Sequence, residues 1–315
     1  MKAEPLARLR AWVEGLVPND RYLQAGRSVI AAAQICSLLF ITDDVAFTAA
    51  ERAAGPCASP WSAIWCSDSR ITGGTIVARA LSLIVLAAVM MGFKPRWTCI
   101  PHFLVSLSMA MAFTVNTGGE RVATIITALV IPVCVSDGRS WAWIAGPHSG
   151  DRRSPSAGSA AAAVLTIRAQ LSIVYLVAAV SKTVTPGWGT GGWLQSVFLD
   201  PTFGLPPIVL TPMLPVIENR VVMVVLEVAV VVGELIIAAG VCGNRTLRSV
   251  ALLVGLGLHA SIGLLMGLPA FGAIMVGGLL VARGGCRPPT HARELPDPDA
   301  DAVLDHPGSL PRMTT

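Results

Sequence analysis

Charge is what this sequence lacks. Only 13% of its residues are Asp, Glu, Lys or Arg, while 53% are hydrophobic and mean hydropathy is +0.66. A soluble domain carries about 25% charged residues, so the composition excludes one. It predicts an all-α polytopic membrane protein, and 315 residues make one membrane domain rather than two soluble ones. A net charge of +4 is too small to call for a nucleic-acid partner. P-loop, Gly-x-Ser-x-Gly and dinucleotide fingerprints are missing, as is any metal-ligand cluster. Gly73-Gly74 and Gly118-Gly119 are too short to cradle a phosphate. No apolar stretch precedes Ser28, so no cleavable signal peptide is expected.

What is present is a series of eight apolar runs, near 28–48, 74–93, 98–115, 121–136, 164–184, 221–242, 248–268 and 270–283. Several fall short of the ~20 residues of a typical span. Asp43-Asp44 interrupts the first, and Gly267-Leu-Pro269 alone separates the last two. Lys and Arg alternate with the loops. Lys2, Arg8, Arg10, Arg21 and Arg27 precede the first run, and Lys94 and Arg96 follow the second. Arg139, Arg152 and Arg153 follow the fourth, Arg245 and Arg248 the sixth, and Arg283, Arg287 and Arg293 the eighth. Residues 183–219 contain neither. Eight spans in the plasma (inner) membrane, with both termini cytoplasmic, satisfy every loop.

Residues 1–27 are expected to form an N-terminal cytoplasmic segment. Leu6, Leu9, Val13, Leu16 and Val17 sit there at helical spacing among charges, which suggests an interfacial helix; a frayed tail is the plainer alternative. Residues 28–283 form the transmembrane domain, and the Pro- and Asp-rich 284–315 a disordered cytoplasmic tail. Residues 185–217 are rich in Pro and Gly and carry Trp188 and Trp193, as expected of an outer-face cap with interfacial aromatics or a partly re-entrant segment. Cys57 and Cys66 fall in an outer loop, where a disulfide is expected rather than two free thiols; the other cysteines are expected to be mostly buried thiols.

The few ionisable residues inside the apolar runs are the functional candidates, because an intramembrane charge is costly unless paired or wet. Arg168, Tyr175 and Lys182 are seven apart and share one helical face, with Ser172 beside them. Arg220, Glu227 and Glu234 repeat that spacing in the next long run, and His259 sits near the centre of the one after. Estimating depth from residue number alone pairs Lys182 with Glu227 and Arg168 with Glu234. Snorkelling accounts equally for either cation taken alone, and a helix–helix contact for His259, but not for the deep Glu234. Tyr175, Lys182, Glu234 and His259 together could support proton transfer, with a desolvated lysine as base.

The order of these residues carries a family resemblance. Arg168-Ala-Gln-Leu-Ser-Ile-Val-Tyr175, Val180-Ser-Lys182 and Trp188-Gly-Thr-Gly191 resemble the horizontally transferred transmembrane domain, whose members include the membrane part of vitamin K-dependent gamma-carboxylase. Within it, the chain is most similar to the sporulation-delaying protein B (SdpB-like) group. Four further stretches carry that likeness: Gly26 to Gln34, Gly118 to Trp141, Asp200 to Gly204, and His259 to Phe271. The resemblance implies maturation or export of a secreted peptide toxin or bacteriocin, with the secreted precursor and companion maturation proteins as partners beside the lipid bilayer. It also implies Lys182 as a base, with His259 and Glu234 assisting, near a quinone. The chain departs from the carboxylase in having no large extramembrane domain after its spans, which counts against gamma-carboxylation. Three readings therefore stand: peptide-maturation factor, lipid- or quinone-dependent enzyme, and transporter, the last without a detectable inverted repeat.

Overall fold

The computed structural model describes residues 21–42, 46, 65, 74–113, 118–144, 155–201 and 204–284. The expected N-terminal interfacial helix, the Cys57–Cys66 disulfide and the tail beyond residue 284 lie outside them.

The described residues form ten helices and no strand, as the composition predicts. They are α1 (Arg21–Phe40), α2 (Gly74–Met91), α3 (Pro95–Ala112), α4 (Gly118–Val135), α5 (Pro155–Val184), α6 (Gly192–Phe198), α7 (Pro207–Ile217), α8 (Arg220–Val241), α9 (Arg245–Leu265) and α10 (Pro269–Arg283). Five of them, α1, α4, α5, α8 and α9, are long and apolar enough to cross a membrane. Apolar segments of α2, α7 and α10 are shorter, so eight spans do not follow from length and hydropathy alone.

Local chemistry sets the ends. Asn219 caps α8 by accepting from the Val221 and Val222 amides, and Asn244 caps α9 by accepting from Leu247. Pro95, Pro207 and Pro269 open α3, α7 and α10, where a missing N–H costs nothing. Two helices differ most in their boundaries: α5, expected from residue 164, starts at Pro155, and α1 is expected from residue 28 to near 48. It starts at Arg21 and ends at Phe40. Its first turns are polar but buried: the Gln24 amide donates to the Val89 carbonyl at 2.9 Å and Ser28 to Met90 at 2.7 Å. Hydropathy cannot see a helix start whose polar groups are satisfied by a neighbouring helix end. The cap region 185–217 is more ordered than its Pro and Gly content suggests, since it contains both α6 and α7.

The short α10 lies in the middle, against α1, α4, α5 and α9. It can do so because its neighbour-facing positions are small. At Gly277 an added Cβ would meet Ile30 Cγ1 at 2.6 Å and the Gly26 carbonyl at 2.9 Å, so α1 and α10 touch backbone to backbone. Small residues at such crossings are the usual device for packing helices where water supplies no driving force. The core around α10 includes Ile30, Ile126, Leu171, Ile237, Ile274 and Leu279. A second cluster joins α1, α2 and α3 around Leu38, Leu86, Val105 and Met109, with Trp65 packed 5.1 Å from Phe113.

Three arginines sit on the C-terminal ends of neighbouring helices. Arg79 donates to the Leu38 and Ile41 carbonyls at 2.6 and 2.7 Å, at the end of α1. Arg168 donates to Ala282 and Gly284 at 2.9 and 2.8 Å, at the end of α10. Arg248 donates to Gly243 at 2.6 Å, just past the end of α8. Each cation meets unpaired carbonyls and the negative end of a helix dipole. At the α2–α3 turn the Lys94 N–H donates to the Ser140 carbonyl at 2.9 Å, and Arg139 donates to both Asp137 carboxylate oxygens, at 2.9 and 2.7 Å.

Gly277→Ala is expected to lower the thermal stability of the purified protein by about 1–3 kcal/mol, the cost of overpacking. Gly257→Ala, where nothing lies within 4 Å, should leave it unchanged. Equal melting temperatures for the two variants would remove the α1–α10 contact from its central place.

Candidate functional site

The site is built where α5 and α8 run antiparallel. Ser172 Oγ donates to the Ala238 carbonyl at 2.8 Å, and Cys242 Sγ lies 3.8 Å from the Arg168 carbonyl. These contacts fix the register: each step up α5 matches one step back along α8. Extrapolated, Glu234 stands level with Leu176 and Glu227 level with Thr183.

The expected pairs are therefore wrong, and helix geometry explains why. Every helical side chain leans toward its own N-terminus. Lys182 leans back down α5 by one turn, placing Nζ 3.4 Å from the Ala178 carbonyl. Glu234 leans the opposite way, up the antiparallel α8. The two converge, with Nζ to Oε1 at 2.7 Å. Counting Cα levels alone put them on different tiers; the two leans close the gap. Lys182 thus pairs with Glu234 rather than Glu227.

Glu227 leans past the end of α5 into the loop beyond it. Its carboxylate is fully buried, yet it forms no salt bridge among the described residues. It accepts backbone N–H bonds from Gly189 at 2.6 Å, Gly191 at 2.9 Å and Leu194 at 2.9 Å. Converging amides of this kind satisfy a buried anion without a counter-ion. Gly191, at φ 82°, has no room for a side chain: an added Cβ would sit 2.9 Å from the Arg220 carbonyl. Arg220 itself bonds the Thr190 carbonyl at 3.0 Å. Glu227 is the anchor of the Gly- and Trp-containing cap, and no charge partner of Lys182.

Arg168 likewise does not meet Glu234. It leans toward the opposite end of α5 and bonds the end of α10. The single charge network expected from the two seven-residue stripes resolves into separate contacts. Tyr175 does keep company with His259: its hydroxyl lies 2.7 Å from Nε2, and both are buried. Phe271 packs edge-on against the imidazole at 5.6 Å.

Trp188 covers the ion pair. Its ring lies 5.7 Å from Lys182 Nζ and packs at 4.7 Å against Trp193, tilted by 51°. Three buried polar atoms near this centre have no hydrogen-bond partner among the described residues: Glu234 Oε2, His259 Nδ1 and Trp188 Nε1. The arrangement has a lysine–carboxylate pair, a tyrosine–imidazole pair, and spare donor and acceptor capacity. Such groups can hold and pass protons at a site shielded by an aromatic lid. No group of three or more metal-ligating side chains occurs among the described residues.

The sequence reading passed over a second polar cluster. Gln24, Arg27 and Gln34 on α1 face Thr98, Cys99, His102 and Ser106 on α3. The signal was present: Arg27 and Gln34 are seven apart, and Cys99, His102 and Ser106 follow three- and four-residue steps.

The chain is 27% identical over 278 residues to sporulation-delaying protein SdpB of Bacillus subtilis (strain 168), covering 88% of this chain and 85% of that one. It is 26% identical over 203 residues to the uncharacterized protein YitO of the same organism, covering 64% and 65%. The extent of the first match supports an SdpB-like family. No protein-family model matches, and no solved structure matches.

Reversing the sign of Lys182 alone, or of Glu234 alone, is expected to abolish accumulation of folded protein, since stranding one partner of a buried pair costs about 3–5 kcal/mol. Lys182→Glu with Glu234→Lys should restore it, whereas Lys182→Glu with Glu227→Lys should not; immunoblots of membranes decide between them. Glu227→Gln puts an amide N–H₂ among backbone donors and should loosen the cap. Maleimide labelling of Leu194→Cys, buried in the native fold, should then accelerate. An unchanged labelling rate would mean that Glu227 does not hold the loop.

Proposed function

We propose that this SdpB-like membrane protein acts in a sporulation-delaying toxin pathway, as a factor for maturation or export of a secreted peptide. The observation that carries this reading is the likeness to SdpB along nearly the whole of both chains. In it the transmembrane unit, residues 28–283, crosses the plasma membrane eight times with both termini cytoplasmic. Lys182 and Glu234, with Tyr175 and His259 beside them, form its working centre under the Trp188–Gly191 cap. The secreted precursor approaches from the cap side, and companion maturation proteins bind the same membrane complex.

A second reading is a lipid- or quinone-dependent enzyme with Lys182 as base. It is favoured by the unused polar capacity of Glu234 Oε2, His259 Nδ1 and Trp188 Nε1. Trp188 Nε1–H and Lys182 Nζ are the donors suited to the carbonyl oxygens of a quinone, which would supply redox chemistry. In that setting Lys182 exchanges a proton at Nζ, Glu234 stabilises the charged amine through Oε1, and His259 sets the Tyr175 hydroxyl.

The test compares wild type with Lys182→Met combined with Glu234→Gln, which removes both charges and strands neither, in three parallel assays: maturation of the secreted peptide in the native host, quinone turnover, and solute uptake. Loss of maturation alone, with normal protein levels, is expected. Loss of quinone turnover as well supports the second reading. A double variant that is silent in all three ends the assignment of this centre.

A further inference from the structure

Trp188 covers the Lys182–Glu234 pair, but little ties it down. Among the described residues, the hydrogen bonds of residues 186–188 stay within their own turn. The Trp188 N–H donates to the Thr185 carbonyl at 3.1 Å, and the Gly187 carbonyl accepts from Thr190 Oγ1 at 2.7 Å. Bonds to another helix begin at Gly189, whose N–H donates to Glu227, and continue through Gly191 and Leu194. Arg220 adds one to the Thr190 carbonyl. The cap therefore has a fixed part, 189–194, latched to α8, and a short arm, 186–188, that carries the indole.

Glycines in the left-handed region bracket Trp188. Gly187 has φ 87° and Gly189 φ 82°, and an added Cβ would meet nothing within 4 Å at either. Crowding does not call for glycine at these two positions; the backbone conformation does. Glycine also lets the chain leave that conformation easily, as a hinge requires. The closed position is itself imperfect. Trp188 Nε1, a donor on the arm, and Glu234 Oε2, an acceptor on the covered pair, are both buried without a partner. Each forgoes a hydrogen bond while the arm is down. The arm is held by the tilted contact of Trp188 on Trp193 and by the approach of Lys182 Nζ to the indole face. Nζ is also bonded to Glu234 Oε1 and the Ala178 carbonyl. Of these neighbours, the indole is the one that can leave without breaking a hydrogen bond to the lysine.

We propose that this arm is a gate. Rotation about the Gly187 and Gly189 backbones swings Trp188 off Lys182 and opens the Lys182–Glu234 pair to a reactant, while Glu227 keeps 189–194 in place. The gate rests on the reading of that pair as the working centre. Its test measures the cover alone, so a failed gate leaves that reading standing.

The lysines of the chain are Lys2, Lys94 and Lys182, so acylation at Lys182 can be followed by peptide mass spectrometry. Full-length protein in nanodiscs is treated with the acetate ester of N-hydroxysulfosuccinimide, and the rate at Lys182 is measured. Alanine at φ 87° strains the closed arm without a clash, so Gly187→Ala should speed acylation of Lys182 about fivefold or more. Gly192→Ala, in the same cap, places its Cβ 3.7 Å from Thr190 Oγ1 and should leave the rate unchanged. In a Leu194→Cys background, Gly187→Ala should not alter maleimide labelling, because the arm moves without the latch. An unchanged Lys182 rate in Gly187→Ala overturns the gate, as does equal acceleration by Gly192→Ala. Labelling of Cys at position 194 that rises in step with Lys182 also overturns it, since the cap then loosens as one body. Should Gly187→Ala fail to accumulate, Gly189→Ala, equally strained and equally open, carries the same expectations.

Discussion

The structure depends on one constraint: in an apolar bundle, a charged or polar group must find its partner inside the protein. Water is not there to complete it. The bundle answers in three chemically distinct ways. Lys182 and Glu234 neutralise each other directly. Glu227 is neutralised by converging backbone amides. Arg79, Arg168 and Arg248 are spent on helix ends, whose carbonyls need donors in any case.

These solutions also organise the molecule. Arg168 ties α5 to the end of α10, and Ser172 and Lys182 tie α5 to α8. Tyr175 and His259 link α5 to α9. A single face of α5 therefore addresses three neighbours. Glu227 extends the arrangement into the cap, because holding Gly189, Gly191 and Leu194 sets the position of Trp188 over Lys182. The centre and its cover are coupled through that one carboxylate.

The seven-residue spacing on α5 and α8 made the important side chains legible, since helical periodicity puts such residues on one face whatever they meet. Tyr175, Lys182 and Glu234 were visible this way, and His259 as an ionisable residue near the centre of the next apolar run. Their partners were not. Assigning Glu227 to Lys182 followed from residue count along two opposed helices, and the error was about one helical turn on each. In antiparallel helices the side chains of facing residues lean toward opposite ends, so partners are offset from the Cα level. The Arg27–His102 cluster was missed because Arg27 counts among the charges before the first apolar run when hydropathy alone sets its start, while His102 lies on a different run.

By itself the sequence determined that this is a helical membrane protein, which segments are apolar, and which few residues must be explained. Those follow from composition and period, which are properties of the chain before it folds. Tertiary structure decided who meets whom: that α10 sits centrally because Gly26 and Gly277 let backbones touch, that Glu227 anchors a loop, and that Glu234 takes the lysine. Pairing energies act over a few ångströms. Distances on that scale are set by register and side-chain direction between helices, which no single segment contains.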